Sequence, residues 1–316
     1  MDISQLRTLI HVAELGSLSK AADRLHIAQP ALSRQIRLLE EELGVRLFDR
    51  HGRGMIATEQ GQDVLRHALR VMAELEEIRA VVSDENAPLR GHVAIGMPPT
   101  ASDILSEPLV SAFRDSHPDA TLRIVSAYTG YLLDWMHRGE IDAAILYDPK
   151  SARTLRIQPL LEETLFLIGP PGSGLSMERD VEFAALESQR LLLPSAGHGL
   201  RTLVDRYAQE AGFLLNVKVE ADSYSTLKSL VHNGHGVTVL PLAPIHGELA
   251  AGKLCAAPLV NPVPQRRLIM SYPTDRPIPR LARFAGQVIA ATVATLIEQG
   301  IWSGRTLEGE TDRPAS

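Results

Sequence analysis

The feature that most constrains this chain is a change of pattern at Ser83–Pro88, a polar stretch that ends in proline and reads as a linker. Before it, apolar residues recur almost entirely at helical spacing. After it, short β-branched or aliphatic runs alternate with helical segments. Two differently built parts are therefore expected. With domains of about 100–200 residues, a chain of 316 residues has room for two or three.

In the first part, Leu6, Leu9, Ile10, Val12 and Ala13 form a helical stripe that ends at Gly16. Ser17 reads as the N-cap of Leu18–Leu25, and His26–Ala28 as a short turn. Pro30 fits a first helical turn, where its missing N–H has no partner to lose. Leu32, Ile36, Leu39 and Leu43 then share one helix face, and Gly44 stops it. Val45–Phe48 and Met55–Ala57 read as a hairpin-like wing around Asp49–Gly54. Ala21 and Ala22 are small where two helices must approach closely, which is helix-turn-helix logic.

The outer face of the second helix carries Gln29, Pro30, Ser33, Arg34 and Arg37. Ser17 and Lys20 stand on the helix before it, and Arg50, His51 and Arg53 on the wing. Arg suits guanine, Gln suits adenine, and Ser suits either. Seven cations (Lys20, Arg24, Arg34, Arg37, Arg46, Arg50, Arg53) face five acids there, three of them clustered at Glu40–Glu42. The net charge is −6 and the pI about 6.0, so DNA binding needs this local patch. Aromatics at 4% argue against a single-strand stacking surface. The plainer alternative is a solvated helical hairpin.

Thr58 reads as the cap of a long helix. Leu65, Ala68, Met72, Leu75 and Val82 form its seam, interrupted by Arg79 and widened by Leu69, Ile78 and Val81. About 25 residues make a rod of roughly 37 Å, whose stripe needs a partner. Leu65, Met72 and Leu75 are the expected dimerisation residues.

In the second part the expected strands are 92–96, 122–125, 143–146, 165–168, 191–193, 217–219, 237–240 and 268–271. The expected helices are 103–116, 131–138, 199–211, 226–233 and 279–299. This alternation reads as an α/β domain with largely parallel sheets. Residues 301–316 lack an apolar period and read as a flexible tail. A single cysteine, Cys255, excludes an internal disulfide and a four-cysteine zinc site. No apolar run reaches the ~18–20 residues of a membrane span, and MDISQLRTLIHVAEL lacks the marks of a secretory signal. A cytoplasmic protein that meets no membrane is expected.

Small polar residues follow several strands: Thr100 and Ser102, Thr129, Ser195 with His198 and Arg201 beyond it, and Ser223 with Thr226. Ligands of open α/β sheets bind beyond the carboxyl ends of strands, where helix N-termini favour anions. Thr100, Ser102, Thr129, Ser195, His198 and Thr226 are the expected binding set for a small organic anion. Taken one at a time, each reads better as a helix cap; it is the set together that reads as an anion site. Gly169–Ser176 nearly spells a P-loop, but Leu175 stands where the lysine belongs. His232 with His235 lacks a supporting carboxylate, and Ser195 with His198 lacks a nucleophile elbow. Neither a metal nor a cofactor is expected.

The first 61 residues closely resemble the winged helix-turn-helix of LysR-type transcriptional regulators. The match runs through Leu6 to Leu9, Gly16-Ser17-Leu18-Ser19-Lys20-Ala21-Ala22, Leu25 and Gln29-Pro30-Ala31-Leu32-Ser33-Arg34-Gln35-Ile36. It continues with Leu38 to Glu40, Leu43-Gly44, Leu47-Phe48-Asp49-Arg50 and Thr58-x-x-Gly61. Ala57 departs from the family's commoner leucine or proline. Farther on, Gly139-Glu140-Ile141-Asp142-Ala143-Ala144-Ile145 and Gly234-His235-Gly236-Val237-Thr238-Val239-Leu240-Pro241 look like two of its effector-domain segments. Leu165–Gly169 with Leu192–Ser195 resembles its nitrogen-assimilation-control branch.

The resemblance implies a DNA-binding domain over 1–58 and a dimerising helix and hinge over 59–88. It further implies an effector domain over 89–300, built like a periplasmic binding protein. Lobe I would take 89–165 and 268–300, and lobe II 166–267. The implied partners are a double-stranded operator, a small-molecule effector and further copies of the chain as homodimer and homotetramer, with RNA polymerase a further candidate. Effector binding would change lobe closure and shift the DNA-binding dimers on paired sites. The rival classes are an effector-independent regulator, a solute-binding protein, and an enzyme on the same α/β lobes.

Overall fold

A computed structural model describes residues 1–51, 54–81, 88–147 and 154–307. The chain divides into two compact units, Met1–His92 with Asp119–Thr121, and Val93–Pro118 with Leu122–Ser316.

The first unit opens with α1 (Ile3–Leu15), α2 (Leu18–Leu25) and α3 (Gln29–Leu43). The punctuation is local. Asp2 and Gln5 form a capping box at the start of α1, and Gly16 ends it in the left-handed region at φ 59°. Ser17 caps α2, Pro30 sits in the first turn of α3, and Gly44 ends α3 at φ 71°. Leu9, Val12, Ala21, Leu32 and Leu39 are fully buried where the three helices meet. Leu43, expected on that face, is exposed, because the helix ends one turn beyond the core. The wing is β1 (Phe48–His51) antiparallel to β2 (Gly54–Ala57). It starts later than expected: Leu47 and Phe48 N–H groups donate to Glu40 Oε1, and Val45 stays in the loop.

α4 (Glu59–Val81) follows. Thr58 stitches its start, donating to the Arg46 carbonyl at 2.8 Å and accepting from the Gly61 N–H at 2.9 Å. A Cβ at Gly61 would collide with the Leu47 carbonyl, so the T-x-x-G spacing is a docking device for α4. Ala68 is buried in the helix-turn-helix core, with Val64, Leu65 and Met72 packed against it. The first half of the seam thus already has an intramolecular partner. Farther along, Val71 and Ile78 are exposed and Leu75 is half-buried.

The second unit contains β3 (Gly91–Met97), α5 (Pro99–Ser116), β4 (Ala120–Ser126), α6 (Thr129–His137), β5 (Ala143–Tyr147), β6 (Leu155–Thr164) and β7 (Phe166–Gly169). Then come β8 (Val181–Glu182), β9 (Leu191–Leu193), α7 (Gly199–Glu210), β10 (Val217–Glu220), α8 (Tyr224–His232), β11 (Thr238–Leu240) and α9 (His246–Ala250). It closes with β12 (Cys255–Val260), β13 (Gln265–Pro273), α10 (Arg280–Glu298) and β14 (Gly304–Thr306). One sheet has the order β14-β6-β13-β5-β3-β4. The others are β11-β7-β12-β8 and the pair β10-β9. The chain passes between the six-stranded and the four-stranded sheet twice, at Thr164–Phe166 and Val260–Gln265, and these crossings are tied by Leu165 N–H to the Pro264 carbonyl at 3.0 Å.

The sheets are mixed, not largely parallel. β13 runs antiparallel to both β5 and β6, and β7 antiparallel to both β11 and β12. Alternation of strand and helix does not reveal direction once a strand returns from another sheet. The glycine-rich turn before β11 has a steric basis. Gly236 lies at φ 158°, and a Cβ there would strike the Arg190 carbonyl, which accepts the Val237 N–H at 3.0 Å.

The first residues of the expected tail, 301–307, are part of the fold. Trp302 is buried and residues 304–306 pair with β6. The residues from 308 on lie outside the described set. α10 is long and apolar enough to cross a membrane by composition, yet Leu281, Ala282, Ala285, Ile289 and Val293 are buried within this unit.

Candidate functional site

On the first unit, Lys20, Gln29, Pro30, Arg34 and Arg37 are all exposed on the outer surface of α2 and α3, and Ser33 is half-buried beside them. Ser17 acts as a cap, its Oγ accepting from the Lys20 N–H at 3.4 Å. Ser19 donates to Gln29 Oε1 at 3.1 Å, which orients the amide at the start of α3. Arg37 meets Glu41 only at 3.5 Å in full solvent, a contact worth little. Two of the three clustered acids are drawn off this face, Glu40 to the wing and Glu42 to the N-terminal amine, while Glu41 stays beside Arg37. That leaves a coherent basic surface on a helix with no side-chain cap at its N-terminus. Arg53 and the side chain of Arg50 lie outside the described residues.

Arg34→Ala is expected to cost ~1–3 kcal/mol on a specific operator and to relax its sequence preference. Fluorescence anisotropy on matched and mismatched duplexes reads both effects. Unchanged operator affinity would remove α3 from its role as reader.

On the second unit, Tyr147 closes β5 and gathers part of the expected ligand set. Its hydroxyl meets Thr100 Oγ1 at 3.1 Å, and its backbone N–H donates to Thr129 Oγ1 at 3.2 Å. Burial pushes its phenol well above the ordinary range, so it stays protonated. Beside Thr129, Tyr128 meets His198 edge to face at 4.3 Å. Tyr128 comes from the loop after β4 and His198 from the loop after β9, so this contact bridges the six-stranded sheet and the β10-β9 pair. The His198 imidazole is lowered to about 4, mainly by burial and then by the Arg266 charge. It is neutral at pH 7, with Nδ1 accepting from the Leu200 N–H at 3.1 Å. Ser195 donates to Asp222 through both its N–H (2.9 Å) and its hydroxyl (2.7 Å), which hold that carboxyl below its usual value.

Ser102 instead pairs with Ser106 one turn along α5, and Thr226 is exposed in the first turn of α8. No described contact brings either to Tyr147. Arg201 is structural, tied to Asp205, Glu220 and the Pro194 carbonyl. The helix N-termini also differ from expectation. His198 caps α7, while Pro99 lacks an N–H and the Pro98 carbonyl accepts from Ala101 and Ser102 in α5. Both α5 and α6 start next to Tyr147 without a side-chain cap, but Pro99 removes one N–H from α5, so α6, which begins at Thr129, has the fuller set of free donors.

A buried polar network under Tyr147 has no counterpart in the sequence reading. The Arg266 guanidinium lies 3.5 Å from the Tyr147 ring centroid. Its Nε donates to Glu163 Oε2 at 2.5 Å, and Trp302 Nε1 donates to Glu163 Oε1 at 2.7 Å. Glu163 and Arg266 are direct cross-strand partners at the hinge ends of β6 and β13. A tyrosine at the end of a strand was the one signal available. The Glu163–Arg266 register spans 103 residues and leaves no local trace.

A model of the lysR-family bacterial regulatory helix-turn-helix matches residues 3–62, and a model of the LysR substrate binding domain matches residues 86–292. The chain belongs to the LysR family. It is a DNA-binding transcriptional regulator with an effector-binding domain. Among LysR-type relatives, the nitrogen assimilation regulatory protein nac of Klebsiella aerogenes is 32% identical over 261 residues, 81% of this chain and 82% of that protein. The HTH-type transcriptional regulator BbuR of Bordetella bronchiseptica is 30% identical over 308 residues, 96% of this chain and 94% of that one. The structure of a cysteine mutant of OxyR from Corynebacterium glutamicum aligns with TM-score 0.69 at 27% identity, covering 95% of this chain and 96% of that chain. The two similar identities of nac and BbuR do not single out one LysR branch.

Proposed function

We propose that this LysR-type regulator works in the cytoplasm, reads paired operator sites as a dimer or dimer of dimers, and responds to a small organic anion without transforming it. The ligand sits against Tyr147, with Thr100, Thr129, Ser195 and His198 around it. One observation carries this reading: Thr100 and Thr129 hold Tyr147 beside the Tyr128–His198 contact that bridges the six-stranded sheet and the β10-β9 pair. A ligand there touches both lobes and so can favour one closure over another by its differential affinity. The uncapped N-terminus of α6 supplies N–H groups for a carboxylate, while neutral His198 and Tyr128 offer ring faces. With Cys255 alone, a disulfide switch within the chain is excluded.

A thermal-shift screen of small organic acids tests this. At a hundredfold excess over its dissociation constant, a bound acid stabilises by about 2.7 kcal/mol. Thr100→Val removes a partner of the Tyr147 hydroxyl, so the apo domain melts a few degrees lower, consistent with a loss of about 1 kcal/mol. The ligand-induced shift disappears. An intact shift in that variant limits Thr100 to packing. If no acid shifts the melting curve at millimolar concentration, the effector-independent reading replaces this one.

A further inference from the structure

A second concavity lies away from Tyr147, in the sheet that carries β6 and β13. It is an open depression of about 480 Å³ lined by Arg156 from β6, Thr274, Asp275, Arg276 and Ile278 from the loop after β13, and Arg283 from α10. Three guanidiniums meet one carboxylate here. That carboxylate, Asp275, faces Arg276 at 3.3 Å. Arg276 is held as a fixed wall, donating to the Met136 and Ile141 carbonyls at 2.8 and 3.2 Å. Arg283 donates to the Ile278 carbonyl at 3.3 Å. Among the described residues, no acid pairs with Arg156 or Arg283. α10 also begins beside this wall with no side-chain cap at its N-terminus.

Asp275 offsets one of the three guanidiniums, which leaves the hollow with a net positive charge that a bound anion would balance. The planar forks of arginine match a tetrahedral oxyanion, which can take bidentate bonds from more than one of them. We infer that this hollow is a second ligand site, separate from the cleft at Tyr147, that takes a phosphate-bearing small molecule. Occupation would tie β6, the loop after β13 and α10 together at the end of the sheet opposite the hinge. It would thereby bias the same domain that the cleft ligand controls.

Titration calorimetry of the full-length protein with inorganic pyrophosphate tests this at constant ionic strength. The expected result is saturable binding that Arg156→Gln/Arg283→Gln weakens at least about tenfold, with the melting temperature unchanged because both side chains are exposed. Thr100→Val binds pyrophosphate as wild type does, which separates this site from the cleft. The site is overturned if pyrophosphate gives no heat beyond that of matched chloride, or if the double variant binds it equally well. It is also overturned if the double variant's one defect is weaker binding to any DNA, which would make these arginines phosphate-backbone contacts.

Discussion

Glu163→Ala lowers the stability of the effector domain by about 3–5 kcal/mol, the usual cost of removing one member of a buried ion pair. Both Glu163 oxygens are occupied, one by Arg266 and one by Trp302, and the residue is fully buried. Truncation leaves a desolvated guanidinium without its carboxylate and an indole N–H without its acceptor. Glu163→Gln also destabilises, because the amide can accept from Trp302 but then turns an N–H₂ group toward Arg266. The pair Glu163→Leu/Arg266→Met restores much of the loss, since two apolar groups of similar volume remove the desolvation burden on both sides. Urea unfolding followed by Trp302 emission, with Trp135→Phe as background, measures all three. A change within 0.5 kcal/mol for Glu163→Ala would mean that water reaches the network.

Leu75→Glu abolishes self-association and drops operator affinity to the level of random DNA, a loss of ~10³-fold or more. The seam read from the sequence is divided in the structure. Leu65 and Met72 already pack against the helix-turn-helix core, whereas Val71 and Ile78 expose apolar surface at 44% and 62% with half-buried Leu75 between them. A charge placed in that distal stripe is costly once a partner helix covers it. Met72→Glu behaves differently and lowers the melting temperature of the DNA-binding head itself. Light scattering with anisotropy separates the two. A Leu75→Glu protein that stays oligomeric and binds its operator would place the contact elsewhere.

The helices of the DNA-binding unit were legible because their boundaries are written locally, in Ser17, Gly16, Pro30 and Gly44. β6 was missed because Pro159 interrupts it. The register between β6 and β13 shifts there, opposite Leu268/Ile269, so the proline falls at an irregularity where a ladder bond is already missing. The end of the chain read as a tail for want of an apolar period, yet Trp302 is anchored by a polar bond to Glu163 that periodicity does not register. Hydroxyls after strands are visible in order, and Thr100 and Thr129 do meet at Tyr147. Ser102 pairs with Ser106 on its own helix and Thr226 is exposed, because position after a strand does not fix side-chain direction. Glu163 and Arg266 depend on cross-strand register, which one sequence does not contain.

As proposed, this chain reads specific DNA and a small acid alters the reading. The most direct measurement is anisotropy of the full-length protein on labelled DNA from beside its own gene, against a random duplex of equal length and at one salt concentration. The acid found by thermal shift is then added. Operator binding is expected to be at least ~10³-fold tighter than random, with an acid-dependent change in operator affinity or footprint that Thr100→Val removes. Equal binding to both duplexes, with or without the acid, would contradict it.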